Sequence, residues 1–443
     1  MPLPARDTLD YLLDQAKKAG AINADARIAH AQSSSLGIRM GALETLIRDE
    51  AQNASLRVFM GQRQASASSS DLSASALREL AERVVAMARL APEDPFCGLA
   101  PRPAQPPVQP DAHDSKQYSS LELEGLAREA EEAALGIPGI ANSGGAEAEW
   151  SQYQAQLGAS DGFRGEISSS SYAISVSAIA QKDDAMERDW DAASRRFHGD
   201  LPTPASIGRN AGERAARRLG ARKLDSQRAN VLFETRTARS LLGLFVSAAS
   251  GSAIARGSSF LRDHLGKKVF GANIQILDDP TEAKGLGSRQ FDGEGCPVQA
   301  LWIVKNGILQ HYFLNWPAAR QLGMESTGHA SPGFGDPPGI SPSNLRLMSG
   351  TQSCADLLKD AGACLWVSEM FGPSINMNNG DYSVGVSGFW YDQGGLAYPV
   401  SEITVAGNLL DIFARLIPAN DLVYERAYET PSLLVPDLAI AGR

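Results

Sequence analysis

Residues 298–314 read Val298-Gln-Ala-Leu-Trp-Ile-Val-Lys-Asn306-Gly307-Ile308-Leu-Gln-His-Tyr-Phe-Leu314. Val298, Ala300, Trp302 and Val304 alternate with their neighbours before Asn306-Gly307. Ile308, Gln310, Tyr312 and Leu314 alternate after it. Asn-Gly between two such runs predicts a tight hairpin, because both central residues must take φ > 0. A second hairpin is expected around Asp392-Gln-Gly-Gly395. Val231 and Phe233 predict a short strand, followed by an apolar helix over 236–250. Residues 331–342 carry four prolines and three glycines and predict a loop. Leu409, Leu410, Phe413 and Leu416 predict one short helix closed by Pro418. Residues 226–443 therefore read as a β-rich domain, barrel or sandwich-like, with a few helices.

Upstream the pattern is layered. Leu9, Leu12, Leu13 and Ala16 lie at i, i+3, i+4 and i+7 and predict an amphipathic helix stopped at Gly20. Leu36, Ile38 and Met40 alternate, as do Leu56, Val58 and Met60. With Gly41 and Asn53 as punctuation, 25–62 predicts an antiparallel meander of short strands. Leu77, Leu80, Val84 and Met87 restore the helical period. Residues 92–110 hold seven prolines and read as a linker or surface loop. A helix near 119–135, strands around Tyr153–Leu157 and Tyr172–Ala178, and a helix over 211–219 follow. Residues 1–225 thus predict an N-terminal α/β layered domain with antiparallel strands, interrupted by the 92–110 loop. The expected fold class is α+β.

A length of 443 residues suits two or three domains of roughly 100–200 residues each. The net charge of −10 comes without a Lys/Arg cluster of five or more, which argues against nucleic-acid binding. The four cysteines include no C-x-x-C pair and suit a reducing compartment. The N-terminus shows no signal peptide, and the uncharged stretch between Arg239 and Arg256 is too short and too rich in serine to span a bilayer. A cytoplasmic protein, off the membrane, is expected.

The usual catalytic signatures are missing. No histidine is followed by glutamate, and neither a phosphate loop nor a G-x-S-x-G elbow is present. His311 reads as a solvated strand histidine and His264 as a helix-end residue. His329, just before the 331–342 loop, is a candidate substrate contact. Cys296 has no neighbouring base and reads as inert.

Five segments together resemble one family. They are Phe291-Asp-Gly-Glu-Gly295, the Asn306-Gly307 hairpin, Ser326-Thr-Gly-His329, Gly380-Asp-Tyr-Ser383 with Gly388-Phe-Trp390, and Pro399-Val-Ser-Glu-Ile-Thr-Val-Ala-Gly-Asn408. In order and spacing the chain resembles the TldD/PmbA family, on the PmbA (TldE) side, which bears the older label "modulator of DNA gyrase". The resemblance implies a two-domain subunit of a cytoplasmic zinc peptidase that cleaves flexible peptides. The TldD side carries His-Glu-x-x-x-His on a helix early in the second domain. Zinc held there would lower the pKa of bound water toward neutrality. The matching positions here are Gly243, Leu244 and Ala248, none of which can bind a metal or take a proton.

The resemblance therefore implies no catalytic residue and no metal in this chain, with zinc expected in a TldD-like partner. The expected assembly is a heterodimer with that catalytic subunit, or a homodimer when alone. Flexible peptide is the expected substrate, captured by strand addition. His329, Tyr382, Glu402 and Asn408 are candidate substrate-binding residues. Two alternatives stay open. One is an autonomous metal-dependent peptidase built on His329, Asp381, Glu402 or Cys296. The other is a non-enzymatic peptide-binding modulator, for which direct DNA contact is disfavoured by the charge.

Overall fold

The computed structural model describes residues 6–102, 109–333 and 336–442. Helix α1 (Arg6–Lys18) buries Leu9, Leu12, Leu13 and Ala16, the four residues of its apolar stripe. Strands β1 (Asn23–Arg39) and β2 (Ala42–Met60) then form one long hairpin of 17- and 19-residue arms, not a meander of short strands. Met40 and Gly41, at φ 50° and 73°, make the turn. Asn53 does not punctuate. It sits inside β2 opposite Ala29, where neighbours complete the ladder.

β3 (Arg63–Ser69), α2 (Ala74–Leu90), α3 (Ser120–Leu135), β4 (Ile140–Ala159), β5 (Arg164–Lys182), β6 (Ala185–Arg195) and α4 (Pro204–Arg217) follow. The strands form a fully antiparallel sheet in the order β3-β2-β1-β4-β5-β6. One end of the sheet packs its apolar residues on α1 and α2, the other on α3 and α4. Tyr172, Ile174, Val176, Ala178 and Ala180 alternate inward along β5. Glu131 of α3 is buried, and its carboxylate accepts from Met40 N at 2.8 Å and Gly41 N at 2.7 Å, which holds the hairpin tip.

The proline-rich segment behaves differently from a free linker. Residues 103–108 lie outside the described residues, but Cys97 and Ala100 are buried. Arg320 donates to the Cys97 carbonyl, and Arg102 Nε donates to the Glu294 carbonyl at 2.8 Å. Prolines free the segment from any ladder, so side chains and carbonyls anchor it instead.

The second half begins with β7 (Gln227–Phe233), α5 (Thr235–Ala248), α6 (Gly251–Ala255) and β8 (Ile276–Asp278). β9 (Leu301–Lys305) and β10 (Ile308–Leu309) come next, then α7 (Trp316–Leu322), β11 (Ala330–Ser331), β12 (Gly339–Ile340), β13 (Leu345–Leu347) and α8 (Cys354–Ala361). β14 (Cys364–Asn376), β15 (Asp381–Asp392), β16 (Gly395–Asn408), α9 (Leu409–Arg415), β17 (Ile417–Pro418), β18 (Tyr428–Glu429) and β19 (Leu433–Ala441) complete it. Five strands pair in the order β16-β15-β14-β7-β19, and Thr404–Ala406 of β16 pair with Ala439–Ala441 of β19 to close a barrel. A second sheet runs β10-β9-β8-β13-β18.

Both expected hairpins are present. Asn306 and Gly307 take φ 51° and 77°, and Gln393 and Gly394 take 50° and 79°. The first is shorter than its alternation predicts, because pairing ends at β10. The 331–342 segment, apart from 334–335 outside the described residues, holds the β11–β12 ladder, Ala330 opposite Ile340. The architecture is α+β throughout, with a layered antiparallel first half and a β-rich second half.

Candidate functional site

Helix α5 carries Gly243, Leu244 and Ala248, the positions at which the resemblance places His-Glu-x-x-x-His donors. It enters directly from β7 and buries Thr237, Ala238, Leu241, Leu242, Phe245 and Ala248. Phe245 meets Phe270, Phe313 and Phe413 edge to face. This fixes the rotation of the helix. Gly243 then faces open space, Leu244 is half-buried against the core, and Ala248 is fully buried. Positions 243 and 248 lie about 140° apart around an α-helix. A side chain at 248 points into the core, not into a site shared with 243. The residues at this place do not fit a zinc ion: they offer a hydrogen, an isobutyl group and a methyl group.

Phe291-Asp-Gly-Glu-Gly295 and Cys296 form a buried knot between the two halves. Asp292 Oδ1 accepts from Glu294 N and Cys296 N, each at 2.9 Å, and Oδ2 accepts from Ala330 N at 3.2 Å. Glycine is required at 293, where a Cβ would lie 2.6 Å from the Ser331 backbone. Glu294 Oε2 accepts from Trp316 N at 2.8 Å. Glu294 Oε1 lies 3.7 Å from Arg57 Nη1, and Arg57 is held by Asp25, its cross-strand partner, at 2.5 Å. Phe291 meets Phe163 edge to face at 5.4 Å.

Asp292, Glu294 and Cys296 are the group among the described residues whose donor atoms, within 4.8 Å of one another, resemble a metal site in spacing. Their chemistry argues against that use. Asp292 is already engaged by three N–H groups, and a guanidinium stands against Glu294. Burial, then the neighbouring carboxylates, pushes the Cys296 thiol well above its ordinary value. Its Sγ lies 3.7 Å from the Pro101 carbonyl. A protonated, enclosed thiol is a poor nucleophile. Burial also raises the carboxyl of Asp292, and raises that of Glu294 to about 7.

His329 is 2% exposed, which leaves it no surface for the expected substrate contact. Its Nε2 lies 3.1 Å from Asp278 Oδ2 and its Nδ1 lies 2.8 Å from Thr327 Oγ1. Burial pushes the Asp278 carboxyl up, but the His329 bond and charge, with Ser343, bring it below its ordinary value. The order Asp278–His329–Thr327 resembles a nucleophilic triad. Thr327 Oγ1, however, accepts from Leu314 N at 2.8 Å and lies 3.2 Å from the Tyr312 carbonyl. A saturated hydroxyl anchors a loop and does not attack.

Tyr382 is buried, and its hydroxyl has no hydrogen-bond partner among the described residues. Glu402 is exposed, takes φ 54°, and pairs with Lys223 at 2.6 Å. Asn408 caps α9: its Oδ1 accepts from Leu410 N at 3.1 Å, and its Nδ2 donates to the Asn379 carbonyl at 2.8 Å and reaches Asp381 Oδ1 at 3.3 Å. Asn408 and Asp381 therefore come together. No hydrogen bond or ion pair among the described residues joins His329, Asp381, Glu402 and Cys296 to one another.

Two histidine readings change. His311 is not on a solvated strand face. It lies beyond β10, half-buried in a cavity wall, and burial, then the charge of His329, lowers its pKa. His264 lies after a turn, not at a helix end, and its buried Nδ1 has no hydrogen-bond partner among the described residues.

Sequence reasoning missed the charges that join the halves. Arg236 Nη1 donates to Asp189 of β6 at 3.0 Å, Arg214 reaches Glu234 at 3.3 Å, and Arg218 reaches Glu369 of β14 at 2.6 Å. The available signal was charge in apolar strand context, as at Arg57 between Leu56 and Val58.

Family models agree with this architecture along most of the chain. Residues 24–88 match PmbA/TldA metallopeptidase domain 1, 113–219 the central domain and 226–442 the C-terminal domain. A "Metalloprotease PmbA homolog" of Haemophilus influenzae is 33% identical over 99% of this chain and 96% of its own length. "Metalloprotease PmbA" of Escherichia coli O157:H7 is 34% identical over 95% and 92%. Among solved structures, a Bacteroides thetaiotaomicron protein proposed as a modulator of DNA gyrase superposes with a TM-score of 0.90, at 25% identity, over 99% of both chains. TldE from Thermococcus kodakarensis shares the fold, with a TM-score of 0.88 at 18% identity, over 98% of this chain and 100% of its own. With near-complete coverage at a third identity, and the motif segments forming the junction and barrel just described, this chain belongs to the PmbA/TldD metalloprotease family.

Proposed function

We propose that this chain is the non-catalytic, PmbA/TldE-type subunit of a cytoplasmic zinc peptidase. It pairs with a TldD-like chain, completes the cleft and holds flexible peptide for the partner's zinc. The observation that carries this reading is the chemistry of α5. Gly243, Leu244 and Ala248 supply no electron-pair donor, and Ala248 is turned into the core. The three N–H groups donating to Asp292 and the Arg57 guanidinium beside Glu294 support it further, since they give this donor cluster of the described residues a role in joining the two halves. That one solved relative of the same fold is named TldE is consistent with the reading.

Reconstitution tests it. The purified chain with zinc is expected to leave an unstructured peptide nearly intact, and adding a TldD-like chain is expected to create cleavage. Strong zinc-dependent cleavage by this chain alone would overturn the proposal. Near-stoichiometric zinc in protein purified without added metal would favour the autonomous alternative.

A further inference from the structure

The β1–β2 hairpin reaches past the helices that cover its sheet. Residues 39–52 are exposed without a break, whereas Ala54, Leu56 and Val58 further along β2 are buried. β3 pairs only with Ala54–Met60. Among the described residues, no strand therefore lies along 42–53 on the side away from β1. An open edge of N–H and C=O groups is a template for another strand.

The side chains on this edge are apolar where water would favour polar ones. Leu43, Leu46 and Ile47 are each at least 51% exposed. Leu46 stands opposite Leu36, and Leu43 opposite Ile38. Leu36 and Ile38 are buried with Leu123 and Ala127 of α3, so the helix covers β1 and leaves the same face of β2 bare. Charge then selects the occupant. Glu44 is the extra residue of a bulge, without a cross-strand partner in β1. Within the chain it reaches Arg39 at 3.8 Å, an exposed and weak contact. An antiparallel copy of β2 centred on Leu46 sets Glu44 of each copy opposite Arg48 of the other. Asp49 then falls opposite Leu43, and Glu50, held by His30 at 3.1 Å, opposite Ala42. Centring on Ile47 instead sets Glu44 opposite Glu50, and centring on Arg48 or Asp49 sets that charge opposite itself. Like charges directly opposite are destabilising.

We propose that residues 42–50 are an interface between two copies of this chain. They pair antiparallel about a two-fold axis at Leu46, so that the two six-stranded sheets run into one. A two-fold contact must be self-complementary, and Glu44 with Arg48 supplies that complement twice. Leu46 meets its own copy on the face that carries the helices, and Ile47 meets Thr45 on the other. The proposal concerns the chain with itself and does not rest on the pairing with a TldD-like chain.

Sedimentation velocity of the full chain tests it. The parent chain is expected to dimerise as its concentration rises. Leu46→Asp, which sets two carboxylates on the axis, is expected to weaken the dimer about tenfold or more. Glu44→Arg alone and Arg48→Glu alone should each do the same, because both symmetry-related pairs turn repulsive together. Mixing these two variants should restore a dimer with one copy of each, and joining both changes in one chain should restore the homodimer. All three positions are exposed, so the fold is expected to survive the changes. Recovery on mixing reads the interface even if Leu46→Asp fails to fold. A monomeric parent, a dimer unmoved by Leu46→Asp, or reversed chains that do not recover on mixing would each overturn the interface.

Discussion

Glu294 Oε1 and Arg57 Nη1 face each other at 3.7 Å, both enclosed, and neither atom has a hydrogen-bond partner among the described residues. Arg57 belongs to the first sheet and Glu294 to the buried knot of the second half. Burial disfavours the charge of Arg57, but Asp25 and Glu294 more than offset this and raise its pKa. The contact is thus a buried ionic seam between the two halves, under-satisfied on the Glu294 side.

That seam gives stability a pH dependence. The Glu294 carboxyl is raised to about 7, against roughly 4.3 in an unfolded chain. Below about pH 4 both states hold the proton. As pH rises toward 7 the unfolded state ionises first, so the native state loses stability, by roughly 4 kcal/mol in all. Above that the contribution is flat. Glu294→Gln is expected to lose less stability than the parent chain between pH 5 and pH 8, read as urea midpoints. Equal losses would contradict the assignment.

Removing the cation should be worse than removing the acid. Arg57→Met leaves the carboxylates of Asp25 and Glu294 buried without their counter-ion, which costs about 3–5 kcal/mol. Thermal denaturation measures it. A change below 1 kcal/mol would show that the seam is not closed in solution.

Gly243 offers the opposite case. It lies inside α5 with nothing within 4 Å of the place a Cβ would occupy. Gly243→Ala is expected to stabilise the chain by about 1 kcal/mol through helix propensity alone. Ala248→His, forced into the fully buried side of the same helix, is expected to destabilise it by several kcal/mol without gaining zinc affinity. Zinc binding measured by calorimetry in a Gly243→His, Ala248→His chain would refute the orientation of α5.

Asn408 separates folding from binding. As the α9 cap it should cost about 1–2 kcal/mol when changed to alanine. Asn408→Asp preserves an acceptor for Leu410 N and should recover much of that. A peptide-affinity loss with unchanged stability would instead mark Asn408 as a substrate contact.

Thiol reactivity provides a further check. Cys97, Cys296 and Cys364 are buried, and burial pushes Cys354 up to about 11 and Cys364 to about 12. At pH 8 the native chain is expected to resist Ellman's reagent for minutes, while denaturant exposes all four thiols. Rapid modification of one native thiol would show a thiolate that the packing does not allow.

Local chemistry was legible before any coordinates. Asn306-Gly307 and Gln393-Gly394 make their turns because only left-handed backbone closes so short a loop, and that demand is written in the residue types. The 3.6-residue stripes of Leu9–Ala16 and of Leu77, Leu80 and Val84 are buried helix faces as expected, while Met87, read as the end of the second stripe, is exposed. The lack of donors at Gly243, Leu244 and Ala248 was likewise visible, since composition alone forbids a metal bond. The lengths of β1 and β2 were not legible. A glycine or asparagine reads as a break until the ladder on both sides is known, and Asn53 is carried by neighbours far away in sequence.

Turns and helix faces were determined by the sequence itself, because each depends on one residue's backbone freedom or on the spacing of apolar side chains. Only the tertiary structure decided that His329 is enclosed, that Asp292, Glu294 and Cys296 gather in one buried group, and that the 298–314 hairpin opens into a cleft. Those outcomes depend on contacts such as His329 with Asp278, 51 residues apart, and Glu294 with Arg57, which tie loop and turn residues to distant strands. No local pattern encodes which distant partner a buried charge will meet. Packing selects it, and with it the difference between a reactive group and a structural one.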